Sequence, residues 1–465
     1  MSSFIEKEIS YSINLSQDLL YIILSSYISK KFTHTEDYVD CVDINNVRSR
    51  LMKNRFESTI KTIQSAENIV HIYKNNLIPL VNRVSVEQGV NNNELSPQLK
   101  RIMTCQVFRP NVRPEIEIKF EKVYLEKNIG DTFDSLMASK QVTLLNLLKN
   151  KQEKITKNSH LGSDEILAYL RIEYEYQSEN PDKLVLDQMA KIISKIDRMS
   201  HSHNISPMLP YTTIQNNVIY RKFVDEILIN DTNKELNQDV LKWAIKLDGV
   251  RGKGLFTRNF VIIFMDEMRM FSGHFPWLFK INNVVAFQCE LVGDTNLFIT
   301  DLLHVFKYSY NNKTQYECSL KNYNIDPLSS IKCINYLHEK YNKKDLQLQS
   351  HNDTFINIKF QHFMDPPIQL NGYSTVATDG FVVLDNAIQY IKYKYVKTIE
   401  LEYNEKENLF YSLCEPLNDF TIVKSKDDII LKHEKIYETV IDEDKKIIKI
   451  LKVRNDRLVP QMMSM

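Results

Sequence analysis

The sequence predicts an α+β multidomain protein rich in short strands, and three observations carry that expectation. Between residues 5 and 176 the runs IEKEIS, EIEIKFE and RIEYEY alternate, with glutamates and other charges on one face and, Lys7 apart, apolar side chains on the other. Residues 246–254 read KLDGVRGKG, and they hold three of the ten glycines in an otherwise glycine-poor chain. Beyond residue 255, FVIIFMDE, VVAFQCELV, LFITDLL, DGFVVLD and YIKYKYV continue as short β-like runs among helical segments. With 465 residues and 43% hydrophobic content, the chain can bury a sizeable core and split into two or three domains. The expected division is 1–235, 236–400 and 401–465. Its first boundary follows SHSHNISPMLPYTTIQNN, whose prolines and polar residues suit an interdomain passage. The last segment has alternations of a size suited to a small barrel.

Taken in order, residues 4–13 alternate as a strand, and Ser16 is placed to cap the helical run SQDLLYIILSSYISK. Strand-like segments follow to about residue 125. DTFDSLMASKQVTLLNLLKN (131–150) reads as a helix, KQEKITKNSHLGS as a loop, RIEYEY as a strand, and residues 182–199 as another helix.

Composition excludes several classes. Lys plus Arg equals Asp plus Glu at 59 each, so no net field draws nucleic acid and any RNA contact has to come from local patches. No apolar stretch is long enough to span a bilayer, and MSSFIEKEIS lacks an apolar signal region, so an intracellular protein without a membrane partner is expected. Cys41, Cys105, Cys289, Cys318, Cys333 and Cys414 have no close paired spacing and read as reduced thiols. His201 and His203, in a polar loop, receive no role.

Lys246 stands two residues before Asp248-Gly249, where a turn presents an amine beside nucleotide phosphates as a nucleophile toward the α-phosphate. A free lysine titrates at about 10.4, so a desolvated or cationic setting, from Arg251, Lys253 or a divalent ion, has to lower that value. Gly249, Gly252 and Gly254 are expected to take positive φ or to approach a ligand closely. Taken alone, the segment also reads as an ordinary strand–turn–strand.

Further segments follow in fixed order: FQCELV with Glu290, LFITDLL with Phe298 and Asp301, TDGFVVLD with Asp379 and Gly380, IKYK with Lys392 and Lys394, and RNDRLVP with Arg454, Asp456 and Arg457. The series resembles the motifs of the covalent nucleotidyltransferase superfamily, which holds mRNA guanylyltransferases and polynucleotide ligases. That resemblance implies a ligase-like nucleotidyltransferase domain followed by an OB-fold. It implies Lys246 as nucleophile, Arg251 and Glu290 on ribose or metal, and Phe298 near the base. Asp248, Gly249 and Asp379 join them as nucleotide-binding residues. It also implies Lys392 and Lys394 on the α-phosphate, with Arg454, Asp456 and Arg457 meeting the β- and γ-phosphates. Two lysines at strand spacing share a face, which is tolerable with an anion between them. The chain departs from the family pattern in lacking the upstream tryptophan and in placing Gln461 after Pro460.

In the N-terminal half, period two gathers Glu6 and Glu8, then Glu115, Glu117, Lys119 and Glu121, then Arg171, Glu173 and Glu175, each set on one face. The opposite faces, Ile5 and Ile9, Ile116, Ile118 and Phe120, and Ile172, Tyr174 and Tyr176, call for a protein core. Together with Arg48 and Arg50 they suggest an antiparallel barrel with a charged interior and helices packed outside. Inward carboxylates are costly unless divalent cations neutralise them. The pattern resembles the triphosphate tunnel metalloenzymes, which include metal-dependent RNA 5′-triphosphatases. From that resemblance Glu6, Glu8, Glu173 and Glu175 are metal ligands, and Arg48, Arg50, Lys119 and Arg171 act on phosphates. Ser10 departs from a pattern that often has a basic residue there.

Triphosphatase followed by guanylyltransferase is the order of work in making an mRNA cap. The whole chain resembles the baculovirus late expression factor four family of capping subunits of the viral RNA polymerase. That resemblance implies nascent RNA 5′ ends and GTP as substrates, Mg²⁺ or Mn²⁺ as cofactor, viral polymerase subunits as partners and the host nucleus as location. Two other readings stand beside it: an ATP-dependent, ligase-like adenylyltransferase, and a non-catalytic polymerase scaffold. No glycine-rich methyl-donor site of the Rossmann type is present, so cap methylation falls to another protein.

Overall fold

The computed structural model describes every residue except 1–2, 14, 16, 53–54, 92–95, 97, 127–166, 201–216, 230–238, 259, 276–277, 280–282, 294, 311–317, 345, 350–354, 370–377, 427, 455–456 and 463–465. The expected helix at 131–150 with the loop after it, the Ser16 cap, His201, His203 and Asp456 therefore lie outside the described residues. The chain forms two compact units. One takes Met1–Tyr211, Trp277–Val284 and His304–Ile325, and the other takes Thr212–Pro276, Val285–Leu303 and Asp326–Met465.

The first unit is built on eight strands: β1 (Ser3–Ile13), β2 (Thr33–Asp43), β3 (Val47–Met52), β4 (Arg55–Tyr73), β5 (Asn76–Val90), β6 (Leu99–Arg109), β7 (Ile116–Glu126) and β8 (Leu167–Tyr176). They close into a barrel in the order β1-β5-β4-β3-β2-β6-β7-β8, with antiparallel pairing around the ring. Closure removes the exposed strand edges that an open sheet would present. Outward-facing Ile9, Ile116, Ile118, Phe120, Ile172, Tyr174 and Tyr176 join one buried cluster with Leu20, Ile23 and the Lys183–Ser200 helix. That helix presents Val185, Met189, Ile192, Ile193 and Ile196 at helical spacing, and the Asp182 carboxylate accepts from Leu184 N at 2.8 Å at its N-terminus. Two expectations fail here. Ile5 is 57% exposed, because the core cluster takes up β1 only from Ile9 onward. Glu115 precedes β7 in a turn and is exposed, so it adds no charge to the barrel.

The second unit contains three sheets. The strands β9 (Phe223–Leu228), β10 (Val240–Leu247), β11 (Val250–Phe256), β12 (Phe260–Met265), β13 (Met270–His274), β14 (Val284–Val292), β15 (Asn296–Tyr310), β16 (Cys318–Asn324), β17 (Gln347–Gln349), β18 (Phe355–Phe360), β19 (Thr378–Asp385) and β20 (Tyr390–Lys394) precede the C-terminal region, and of these β16 and the residues of β15 from His304 onward belong to the first unit. A four-stranded sheet runs β10-β19-β20-β9, and a second sheet runs β13-β12-β11-β14-β15-β18-β17. Trp243, Phe381, Val383 and Tyr393 pack together on the four-stranded sheet. The last residues form β21 (Ile399–Asn404), β22 (Leu409–Tyr411), β23 (Pro416–Leu417), β24 (Thr421–Lys424), β25 (Lys435–Asp442) and β26 (Ile447–Val453), a six-stranded sheet in the order β23-β22-β21-β25-β26-β24 around Leu401, Phe410 and Tyr437. The Pro327–Tyr341 helix begins with Asp326, whose carboxylate accepts from Ser329 N at 2.9 Å, and with proline at its first position. Among the described cysteines, Cys41, Cys105, Cys289 and Cys333 are free and buried, and Cys414 is free and exposed.

In the first unit the later residues of β15 pair with β16, placing Lys307 directly opposite Lys321. Lys307 Nζ donates to Ser12 O at 2.6 Å and lies 3.7 Å from the Tyr11 ring centroid. Burial, and then the Lys321 charge, pull its pKa down from 10.5 to about 7. The folded state therefore holds fewer protons than the unfolded chain between those two values, and stability rises with pH across that window. Lys307→Met is expected to raise the thermal midpoint at pH 7 and to flatten the rise between pH 7 and pH 10. Melts across that range check it; an unchanged slope would mean the amine stays charged over Tyr11.

Candidate functional site

Alternation along each strand sends one charged set into the barrel. Glu8 on β1 lies opposite Glu175 on β8 and Ser10 opposite Glu173, while on β7 Glu117 lies opposite Glu173 and Lys119 opposite Arg171. In a ring of eight, this order sets β3 across from β8 and β2 across from β1. Arg48 and Arg50 therefore belong to the wall facing the glutamate strands. Glu8, Asp40, Lys119, Glu121 and Glu173 are all buried.

Each buried charge has a partner. Lys119 Nζ lies 2.6 Å from Glu173 Oε2 and 2.8 Å from Glu117 Oε2, and Arg171 Nη1 lies 2.8 Å from Glu173 Oε1. Arg171 also bonds Glu121. Burial alone would raise the Glu173 pKa, but Lys119 and then Arg171 override it and hold the carboxyl at about 2. Burial opposes the charge on Lys119 too, and Glu173 with its neighbours holds that amine well above its ordinary value. Glu8 is shifted upward by burial and then by Glu173. Glu175 stays open to solvent, yet the protein packed around it, and then Glu6 and Glu117, push it up to about 7. Lys61 on β4 pairs with Glu6 and sits 3.5 Å from Glu8 and 3.7 Å from Glu87.

The glutamates have the chemistry to hold a hard divalent cation. Glu6 Oε2, Glu8 Oε1 and Glu173 Oε1 are buried without a completed hydrogen bond, although Lys61, Arg83 and Arg171 stand within ion-pair range of them. Carboxylate oxygens with spare lone pairs are the donors that Mg²⁺ and Mn²⁺ take. Among the described residues no three acidic, histidine or cysteine side chains already form a ligand shell, since lysine and arginine supply the countercharge.

In the second unit, Lys246 at the end of β10 opens into a cavity of ≈ 240 Å³ lined by Asp248, Gly249, Arg251, Glu290, Asp379, Lys392, Lys394, Arg454 and Arg457, together with other polar side chains. Lys246 Nζ donates to Asp379 Oδ2 at 2.9 Å, and Lys394 Nζ reaches the same oxygen at 3.3 Å. Lys392 and Lys394 do share the cavity face of β20, and burial, with the Lys246 and Lys394 charges, leaves the Lys392 pKa lowered against the pull of Glu226. Glu290 accepts from Gly249 N at 3.1 Å, and burial raises its pKa against the pull of Lys246. Arg251 bonds Asp266 at 2.9 Å and stacks 4.0 Å from the Tyr220 ring centroid.

The C-terminal arginines are held by carboxylates. Arg454 lies 2.7 Å from Glu400 and 3.2 Å from Glu438, and Arg457 Nε lies 3.1 Å from Glu400. Lys452 pairs with Asp248 of the lysine motif.

Two site expectations differ from the structure. Gly249, Gly252 and Gly254 do not take positive φ; at Gly249 a Cβ would stand 2.2 Å from Leu291 O, so glycine here lets β11 approach β14. The positive φ belongs to Gly380, at +88°, beside Asp379. Phe298 is not brought to the cavity wall. It precedes Thr300 on the same face of β15, one residue pair away, with Lys359 Nζ 5.8 Å from its ring centroid. Sequence reasoning missed Asp40, Lys61, Arg83 and Glu87 in the barrel, and Arg221, Glu400, Glu438 and Lys452 around the cavity. A signal existed for some of them, because Arg83, Ser85 and Glu87 alternate in the same period-two pattern.

A ring of paired acids and bases, and a lysine amine in a cavity lined by further lysines and arginines, are surfaces suited to polyphosphates. A family model described as Late expression factor 4 (LEF-4) matches residues 6–461. The mRNA capping enzyme LEF-4 of Autographa californica nuclear polyhedrosis virus is 44% identical over 469 residues, covering 98% of each chain. That of Orgyia pseudotsugata multicapsid polyhedrosis virus is 38% identical over 462 residues, again covering 98% of each. The chain belongs to the LEF-4 family.

Removing Glu173 takes the shared counterion from buried Lys119 and from half-buried Arg171 on the next strand. Glu173→Leu is expected to cost about 3–5 kcal/mol, the usual result of breaking a buried ion pair from one side. Adding Lys119→Met should recover part of that loss. Denaturant unfolding of Glu173→Leu, Lys119→Met and the double variant measures it; additive losses would show that the pair is not coupled.

Proposed function

We propose that the chain is a bifunctional mRNA capping enzyme, combining a metal-dependent RNA 5′-triphosphatase with a GTP:RNA guanylyltransferase. The observation that carries this reading is the presence in one chain of a closed barrel lined with paired charges and a separate lysine cavity lined with cations. Relatives named mRNA capping enzyme over 98% of their length support it.

In the barrel, Glu6, Glu8, Glu173 and Glu175 would hold Mg²⁺ or Mn²⁺, which when bound supplies countercharge for the phosphates and lowers the pKa of water. Lys119 and Arg171 stand beside that acidic cluster, and Arg48 and Arg50 stand across from it. They grip the non-bridging oxygens of a triphosphate and take up the charge that develops on the β–γ bridging oxygen. A water oxygen bonds to the γ-phosphorus, the bond from the bridging oxygen to that phosphorus breaks, inorganic phosphate is released, and the RNA end is left as a diphosphate.

In the cavity, Lys246 Nζ attacks the α-phosphorus of GTP. The N–P bond forms, the bond to the β-phosphate oxygen breaks, and pyrophosphate departs. Asp379, 2.9 Å from the amine, is placed to orient it and to take its proton. Lys392 and Lys394 steady the α-phosphate, and Arg454 and Arg457 exchange Glu400 for the β- and γ-phosphates. The diphosphate RNA end then attacks the lysyl-GMP, forming the 5′-to-5′ link and returning the amine. The family resemblance extends this to nascent transcripts, viral polymerase subunits as partners, and the host nucleus. No helix among the described residues is long and apolar enough to cross a membrane.

The test is incubation with α-labelled GTP or ATP and a divalent ion, run beside release of γ-phosphate from triphosphate-ended RNA. Wild type should take label from GTP. Lys246→Ala should lose the label by at least about a hundredfold and keep phosphate release, while Glu8→Gln should show the reverse. Label from ATP alone would indicate a ligase-like adenylyltransferase, and no label from either nucleotide would indicate a scaffold.

A further inference from the structure

We propose that Asp40 is the positioning residue of the barrel's phosphate-binding wall, one buried carboxylate that sets the pose of both Arg48 and Arg50. The proposal rests on the triphosphatase reading and adds to it a residue that neither touches the substrate nor belongs to the glutamate cluster.

The geometry follows from register. Asp40 on β2 lies directly opposite Arg50 on β3, and Val42 lies opposite Arg48, so the two arginines flank Asp40 from one face of the neighbouring strand. The carboxylate is 1% exposed. It accepts from Arg48 Nε at 2.8 Å, from Arg50 Nε at 2.8 Å and from Arg50 Nη2 at 3.0 Å, and Arg48 Nη2 stands 2.7 Å away. Tyr38, two residues earlier and so on the same face, lies 3.7 Å under the Arg50 guanidinium. The arginine side chains keep 28% and 29% of their surface exposed, whereas Asp40 keeps almost none.

Those numbers divide the work. Each guanidinium carries five N–H donors in a rigid fork, so anchoring the Nε edge on Asp40 leaves other donors free for phosphate oxygens. One negative charge shared by two positive ones leaves the wall cationic, so the anchor does not neutralise the anion site it builds. Burial disfavours the ionised carboxyl, and Arg50, followed by Lys119 and Arg101, opposes that shift. Two long flexible side chains are thereby ordered before a triphosphate arrives, and their ordering is not charged against binding or turnover.

The test uses the full chain and saturation kinetics on triphosphate-ended RNA with Mn²⁺. Asp40→Asn keeps the volume and one acceptor oxygen but removes the charge. It should lower kcat for γ-phosphate release by about tenfold to a hundredfold, more than it raises KM, while lysyl-GMP formation continues at the wild-type rate. Placed on Arg48→Ala/Arg50→Ala, the same change should cost less than about twofold, because nothing is left to position. A full multiplicative loss in that background overturns the proposal, as does wild-type kcat in Asp40→Asn. If Asp40→Asn melts the barrel, Asp40→Glu carries the test: it keeps the charge and moves the carboxylate by one methylene. It should then lose kcat without losing thermal midpoint, and unchanged kcat overturns the proposal. A wild-type chain that releases no γ-phosphate with Mn²⁺ overturns the underlying reading, and this proposal with it.

Discussion

A carboxylate taken out of water has to find a cation, and in a closed barrel it finds one on the inward face, two residues along its own strand, on the next strand or across the lumen. Everything distinctive about the first unit follows from that constraint. The period-two strands turn Glu8, Glu121 and Glu173 inward, where desolvation would protonate them, and Lys119 and Arg171 are placed in register to keep Glu173 ionised. The same strands turn Ile116, Ile118 and Phe120 outward, where helices cover them. Inner charge and outer core are two faces of one alternation. A one-residue slip would bury the carboxylates among the helices and expose the isoleucines, so register is fixed from both sides.

The second unit handles charge in another way. Its cations gather around a cavity and are held by shared carboxylates, Asp379 for Lys246 and Lys394, and Glu400 for Arg454 and Arg457, with Glu438 also on Arg454. Such pairs offset the mutual repulsion of a cluster of cations around one cavity. Asp40 lies between its arginines and leaves their outer edges open.

Much of this was legible in the residues. Alternation in IEKEIS, EIEIKFE and RIEYEY foretold β1, β7 and β8 and their inward charges, because the side-chain period of a strand is rigid. KLDGVRG foretold a β10–β11 turn with Lys246 at a cavity. What stayed hidden was pairing across distance. Nothing near Asp40 in YVDCVD says that two arginines will fold over it, and nothing in IEL says that Glu400 will meet Arg454. Ile5 looked like core because alternation reports a face and not where the covering helix ends. The motif glycines looked like positive-φ positions, when the close approach they permit is to a neighbouring strand. Phe298 followed a family pattern whose spacing this β15 does not bring to the cavity wall.

That the inward carboxylates hold a divalent cation is tested most directly by titrating the metal-stripped full chain with Mn²⁺ and following free Mn²⁺ by electron paramagnetic resonance, without RNA or nucleotide. Saturable binding should be present in wild type and in Lys246→Ala, and weakened at least about tenfold in Glu6→Gln and Glu8→Gln. Binding that survives in both glutamate variants, or that disappears with Lys246→Ala, would contradict a barrel built around a metal-bound triphosphate.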